Sequence, residues 1–178
     1  MTQDIVIIGG GVGGTVTANR LQKKLHREVA AGDVRIRLVS DTPYHIYKPT
    51  FFYVPWGEAE PEDASRPLAD LVDRRIDLVY DRVTHIDTSG KSLSLGDNGS
   101  IPYDYLVVAT GAAPDIEGTP GFGADGNGHH IYNAEAAMEL RRELSSFDSG
   151  RLVFSVVEMP HVCPAVPIEF TMLADARF

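Results

Sequence analysis

Three glycines at fixed spacing, Gly9-x-Gly11-x-x-Gly14, follow the β-branched run Asp4-Ile-Val-Ile-Ile8 and precede a helical pattern over 15–25. Each meets a different physical need. The first permits a tight turn off a strand, the second lets the backbone approach a pyrophosphate without a Cβ in the way, and the third lets the helix pack closely on the sheet. Phosphates would rest at the helix N-terminus, where unpaired N–H groups and the positive dipole end favour an anion. A second strand over 34–40 ends at Asp41, whose carboxylate can accept hydrogen bonds from a ribose hydroxyl. Asp41 could equally cap the turn that follows. The other residue able to do chemistry is the single cysteine, Cys163. Pro160, Pro164 and Pro167 hold its segment extended, and a helix beginning near Ala165 would bring its N-terminus toward the sulfur and favour the thiolate. The alternative is a packed small hydrophobe. The histidines form no metal set: His129 and His130 lie in a glycine-rich loop, and His45 and His161 stand alone.

Composition narrows the partners. A hydrophobic content of 43% over 178 residues supports a real core. The net charge of −9 and pI near 5.0 argue against nucleic acid, since phosphate-backbone binding rests on clustered Lys and Arg. One cysteine excludes an internal disulfide framework. The first residues carry no basic leader, and no apolar run approaches the roughly 20 residues that span a bilayer. A cytoplasmic protein is expected, with any membrane contact peripheral and on the inner face of the cell membrane.

These residues need a scaffold, and the chain provides alternating elements. After the first βαβ unit comes an aromatic and proline-rich loop over 42–57, whose prolines at 43, 49 and 55 exclude a helix or central strand. Its aromatic side chains are expected to pack. A helix is expected over 66–75, with Pro67 in its first turn. The period then changes to two over 77–87, 92–95 and 100–103, which predicts a small antiparallel meander. A buried strand, Asp104-Tyr-Leu-Val-Val-Ala-Thr-Gly111, suits a parallel sheet covered on both faces whose C-terminal end approaches a ligand. Asn133 can cap a helix over 134–146. Residues 151–157 read as a strand opening a second βα unit, but prolines and Cys163 follow where a second glycine motif would stand. The pattern over 168–178 is helical and stops without a cap, so the chain is expected to be part of a longer protein.

Gly9 to Gly14, Ser40-Asp-Thr-Pro-Tyr44, Lys48-Pro49, Gly57, the run Tyr103 to Gly111 and Met159-Pro-His-Val-Cys163 together resemble the sulfide:quinone oxidoreductases. These are FAD-dependent proteins of the pyridine nucleotide-disulfide oxidoreductase group, which also holds the type II NADH dehydrogenases. The glycine and Ala-Thr-Gly motifs are shared by the whole group. The Pro-x-x-Cys-Pro segment, followed six residues after the cysteine by Glu169, points to the sulfide branch.

The resemblance implies an α/β Rossmann-like FAD/NAD(P)-binding fold. Its parallel sheet carries an inserted antiparallel meander (about 80–103), and a second dinucleotide-type domain begins after it. The expected division is 1–115 for the FAD domain, 116–150 for a connecting loop and helix, and 151–178 for the second domain. Gly9, Gly11 and Gly14 would hold the FAD pyrophosphate, and Asp41 the adenosine ribose. The strand at Val83 would border the adenine. Ala109, Thr110 and Gly111 would lie under the flavin side, with Pro49 in a loop passing near the ring. Cys163 matches a redox cysteine beside the flavin, and Glu169 a carboxyl that takes part in proton transfer. The implied activity is oxidation of sulfide with transfer of electrons to a quinone. Tyr132 and Ala136 stand where several members carry a further cysteine and a histidine, which leaves a two-cysteine chemistry with a partner downstream. A type II NADH dehydrogenase-like flavin reductase and a non-catalytic FAD-binding module are the alternatives.

Overall fold

The computed structural model describes residues 2–97, 99–120, 122, 128–157, 159, 161 and 163–178. Much of the glycine-rich loop and residues 158, 160 and 162 near Cys163 lie outside the described residues. The chain divides into two compact units, Met1–Tyr47 with Glu62–Ala113, and Lys48–Pro61 with Pro114–Phe178.

In the first unit the apolar run forms β1 (Gln3–Ile8), and α1 (Val12–Lys24) and α2 (His26–Ala31) return the chain to β2 (Val34–Ser40). Gly32 ends α2 in the left-handed region at φ 78°; its N–H donates to Val29 and that of Asp33 to Glu28, a Schellman closure. A short antiparallel pair follows, β3 (Tyr44–Ile46) with β4 (Ser65–Pro67). After α3 (Leu68–Leu71), β5 (Asp77–Tyr80) joins β2, and β6 (Val83–Asp87), β7 (Ser92–Leu95) and β8 (Ser100–Pro102) form the meander. Finally β9 (Tyr105–Val108) pairs with the free side of β1, giving a parallel sheet of order β5-β2-β1-β9.

Alternation along β1 explains why the strand is apolar throughout. Ile5 and Ile7 pack with Ala18 of α1 and with Ile36 and Leu38 of β2. Val6 and Ile8 pack with Leu93, Leu95 and Tyr103 on the meander side. Successive side chains point to opposite faces, so a strand sandwiched between a helix layer and a second sheet needs both sets apolar. Ile7 is fully buried, and truncating it to alanine would cost about 2–5 kcal/mol.

In this unit two expected elements differ. The strand expected over 77–87 breaks at Asp81, whose buried carboxylate accepts the backbone N–H groups of Arg82 (2.6 Å), Gly96 (3.1 Å) and Asp97 (3.1 Å). That knot turns the chain out of the parallel sheet and into the meander. The helix expected over 66–75 shrinks to the single turn α3, because Pro67 belongs to β4 and the Asn19 side chain takes over the next backbone partners. Its amide donates to the Leu71 carbonyl and its oxygen accepts the Asp73 N–H, at 2.8 and 2.9 Å.

In the second unit, 3₁₀ turns at Lys48–Phe52 and Val54–Trp56 present aromatic side chains to α4 (Ala134–Ser146) and α5 (Val166–Arg177). Phe52, Leu140, Leu144 and Phe170 form the core, with the Trp56 ring centred 4.7 Å from that of Phe170 and tilted to it by 55°. Asn133 caps α4 as expected, its Oδ1 accepting the Ala136 N–H at 2.8 Å. This packing groups 48–61 with 114–178. The segment 151–157 has no paired strand among the described residues, and Val153 and Val157 are exposed. A strand is defined by its ladder, and apolar composition alone does not supply one. Among the described residues no helix is long and apolar enough to cross a membrane.

Candidate functional site

Because the four strands of the main sheet are parallel, their carboxyl ends share one edge. Gly9, Asp41, Asp81 and Ala109 follow β1, β2, β5 and β9 there. The strands on one side of β1 follow it in the chain, while β9 returns from much later on the other side. In open α/β sheets the ligand crevice lies at such a reversal, outside the carboxyl ends.

The glycines divide by what surrounds them. Gly9 has φ 110°, and a Cβ there would run into the Ala109 carbonyl oxygen. Its N–H donates to Val39 and the Ala109 N–H donates to Ile8, both at 2.8 Å, so the turn is tied to both neighbours of β1. A Cβ on Gly14 would strike the Gly9 carbonyl oxygen and come within 3.3 Å of Leu38, which is the close helix-to-sheet packing expected of the third glycine. Gly11 is different. A Cβ there would meet nothing within 4 Å, on the open side of the N-terminus of α1.

Among the described residues no side chain caps that terminus, and its first turn holds no acid. The helix end therefore offers its partial positive charge to an external anion. This cradle fits the pyrophosphate of FAD: it is walled by Gly9 and Ala109, open at Gly11, and floored by a helix N-terminus.

Other expected site residues fall as follows. Asp41 is exposed at the end of β2, beside Ser40. Val83 opens β6 opposite Leu95 with its side chain against the meander core, so its backbone is what remains to border a ligand. Thr110 and Gly111 are exposed after β9, Gly111 with φ 74°. Pro49, Cys163 and Glu169 belong to the second unit. All three are exposed. The Cys163 carbonyl accepts the Val166 N–H at 3.3 Å as α5 begins, and Glu169 lies in the first turn of that helix, where the dipole favours a carboxylate.

Two further residues join the cradle. A Cβ on Gly10 would come within 2.7 Å of both Leu68 Cδ1 and Ser40 Oγ. The His45 ring lies with Nδ1 3.0 Å from the Gly10 carbonyl oxygen. No local pattern links His45 to a loop so far upstream, and only the β3–β4 fold brings them together.

Electrostatics away from the cradle are structural. At the start of β1, Asp4 accepts from Arg35 Nε (2.6 Å) and Nη2 (3.0 Å), and Arg37 lies 3.6 Å away. The Arg35 hydrogen bonds hold the Asp4 carboxyl below its usual range against the opposing effect of burial. Arg75 draws the partly exposed Asp73 carboxyl down to about 2. Burial pushes His130 down, between the rings of Phe122 and Tyr132. Among the described residues no group of three or more His, Cys, Asp or Glu could hold a metal ion.

A parallel sheet with this cradle at its carboxyl edge defines a dinucleotide-binding α/β protein. The model of the pyridine nucleotide-disulphide oxidoreductases matches residues 3–155, and the chain belongs to that family. It is 36% identical over 178 residues to the sulfide-quinone reductase of Aquifex aeolicus, a match covering 97% of this chain and 39% of that protein. It is 32% identical over 152 residues to the type II NADH:quinone oxidoreductase Ndh of Mycobacterium tuberculosis, covering 82% of this chain and 31% of that one. The crystal structure of the Aquifex aeolicus sulfide:quinone oxidoreductase superposes with a TM-score of 0.66 at 34% identity, over 81% of this chain and 32% of the other. The chain thus spans well under half the length of these relatives.

Proposed function

We propose that this chain forms the FAD-binding part of a flavoprotein that takes electrons from sulfide and delivers them to a quinone. The observation that carries the reading is the open side of Gly11 at an uncapped helix N-terminus, beside a wall where Gly9 leaves no room for a Cβ. When bound, FAD supplies the redox chemistry, and the protein supplies binding, orientation and electrostatics. The first-turn N–H groups of α1 hold the pyrophosphate, and Asp41 accepts hydrogen bonds from the ribose. The backbone at Val83 borders the adenine, while Ala109, Thr110, Gly111 and Pro49 lie toward the ring system. Cys163, with a second thiol from outside this chain, is the sulfur-handling nucleophile, and Glu169 moves a proton beside it. Oxidation of hydrogen sulfide to the zero-valent level releases two electrons and two protons, and reduction of a quinone to a quinol takes up the same number.

Likeness to a sulfide-quinone reductase over 97% of the chain supports sulfide as donor. So does the sequence after 157, where prolines and Cys163 replace a phosphate-cradling glycine turn. A second reading, with NADH as donor and quinone again as acceptor, is favoured by the likeness to the type II NADH:quinone oxidoreductase. Anaerobic stopped-flow mixing of the full-length protein with sulfide or with NADH separates them. Rapid, saturable flavin bleaching is expected with sulfide. The same response to NADH alone moves the protein to the second reading, and a protein that purifies without flavin refutes both.

A further inference from the structure

We propose that His45 is a positioning residue for the phosphate cradle, holding the Gly10–Gly11 peptide so that its N–H is turned toward the bound anion. The inference rests on the FAD reading above and assigns a role to a residue outside the glycine motif. His45 lies in β3, where pairing with Arg66 of β4 fixes its backbone, and its Nδ1 is 3.0 Å from the Gly10 carbonyl oxygen. A carbonyl oxygen only accepts, so Nδ1 carries the proton and donates. In a trans peptide the C=O and N–H point to opposite sides. The bond that draws the Gly10 oxygen toward His45 therefore sends the Gly11 N–H the other way.

The next peptide is fixed by the same logic. The Gly11 carbonyl accepts both the N–H of Thr15 at 3.0 Å and its hydroxyl at 2.9 Å, which turns the Val12 N–H out of the helix end. Two successive amides, those of Gly11 and Val12, are thereby aimed outward where Gly11 leaves open space. Consecutive backbone N–H groups in this arrangement make an anion-binding concavity.

Why a side chain is needed follows from the glycines themselves. A run of three is conformationally permissive, and nothing within it resists rotation of a peptide plane. Leu68 and Ser40 fill the space a Cβ would take at Gly10, but this does not fix the orientation of the peptide it shares with Gly11. His45 removes that freedom through one half-buried hydrogen bond.

The test uses the full-length protein stripped of flavin, with FAD binding followed by quenching of flavin fluorescence in wild type, His45→Asn, His45→Gln and His45→Leu. Asparagine places an N–H donor at the position of Nδ1, glutamine places it one carbon further out, and leucine keeps bulk without a donor. Expected is near-wild-type affinity for His45→Asn and a loss of about 10- to 100-fold for the other two, the scale of one hydrogen bond to a charged group. Equal affinity in all four proteins overturns the inference, and so does an asparagine variant as weak as leucine. A wild-type protein that takes up no FAD overturns the FAD reading itself. Should the variants fail to fold, ¹⁵N shifts of the wild-type His45 ring decide: a protonated Nδ1 is expected, and a proton on Nε2 alone overturns the proposal.

Discussion

Gly9 and Ala109 meet across the β1–β9 pair with no room between them: the space a Cβ would take at Gly9 is already held by the Ala109 carbonyl oxygen. Gly9→Ala must both accept φ 110° and push β9 away. The backbone strain alone is worth about 1–3 kcal/mol, so a lower urea midpoint is expected together with loss of flavin. A Gly9→Ala protein that unfolds at the wild-type midpoint would contradict this close approach.

Gly11 should separate fold from binding. Its φ of −76° suits any residue and its side is open, so Gly11→Ala should change stability by no more than about 0.5 kcal/mol. Gly11→Val should purify folded and colourless, because the branched side chain fills the space kept for the pyrophosphate. Circular dichroism and the flavin spectrum on one sample check both halves. A folded Gly11→Val protein with full flavin occupancy would remove the cradle assignment.

The Asp4–Arg35 pair predicts a dependence on acid. Asp4 has a lowered pKa in the folded protein, so its contribution is present above the unfolded carboxyl value near 3.9 and is lost as pH falls through the lower folded value. Asp4→Asn should lower stability near neutral pH by about 1–3 kcal/mol, since it weakens the anchor of Arg35. The gap between the two proteins should narrow as pH drops below about 4. Thermal melts from pH 7 to pH 3 measure it, and a gap that widens with acid would show the sign to be wrong.

For Cys163, removal of a covalent nucleophile sets the scale. Cys163→Ser in the full-length protein should keep FAD yet lose sulfide-dependent flavin reduction by at least about 100-fold. Glu169→Gln should be no more severe than the roughly 10²- to 10⁴-fold of general acid–base groups. Wild-type sulfide turnover in Cys163→Ser would leave the cysteine without a catalytic part.

Asn133 offers a test of local structure. Its side chain satisfies the Ala136 N–H at the start of α4, and Asn133→Ala should cost about 0.5–2 kcal/mol. Chemical denaturation followed at a helix-sensitive wavelength reads this directly.

Legibility followed the range of the forces. The first βαβ unit, the meander and the cap at Asn133 were readable because strand period, glycine spacing and capping chemistry all act within a few residues. The break at Asp81 was not, since the N–H groups of Gly96 and Asp97 that its carboxylate collects come from another turn. The end of α3 depends on Asn19, and the fixing of Gly10 depends on His45, both contacts between distant parts of the chain. Residues 151–157 have the composition of a strand, but a ladder needs a second strand that no single segment specifies. Aromatic composition over 44–56 predicts packing, but position in the chain does not reveal Phe170 as the partner of Phe52 and Trp56.

The strand order β5-β2-β1-β9 also sets a timetable. During synthesis β1 emerges first, and β2 can join it early, but the second neighbour that walls the cradle is Tyr105–Val108. At about 5–20 residues per second, a nascent chain spends several seconds with the turn at Gly9 exposed on one side before Ala109 exists. The central strand, the earliest made, is among the last to be enclosed. The meander, which covers Val6 and Ile8, is translated during that interval. A chain that ends before Tyr105 therefore has the turn at Gly9 with β2 on one side and no second wall on the other.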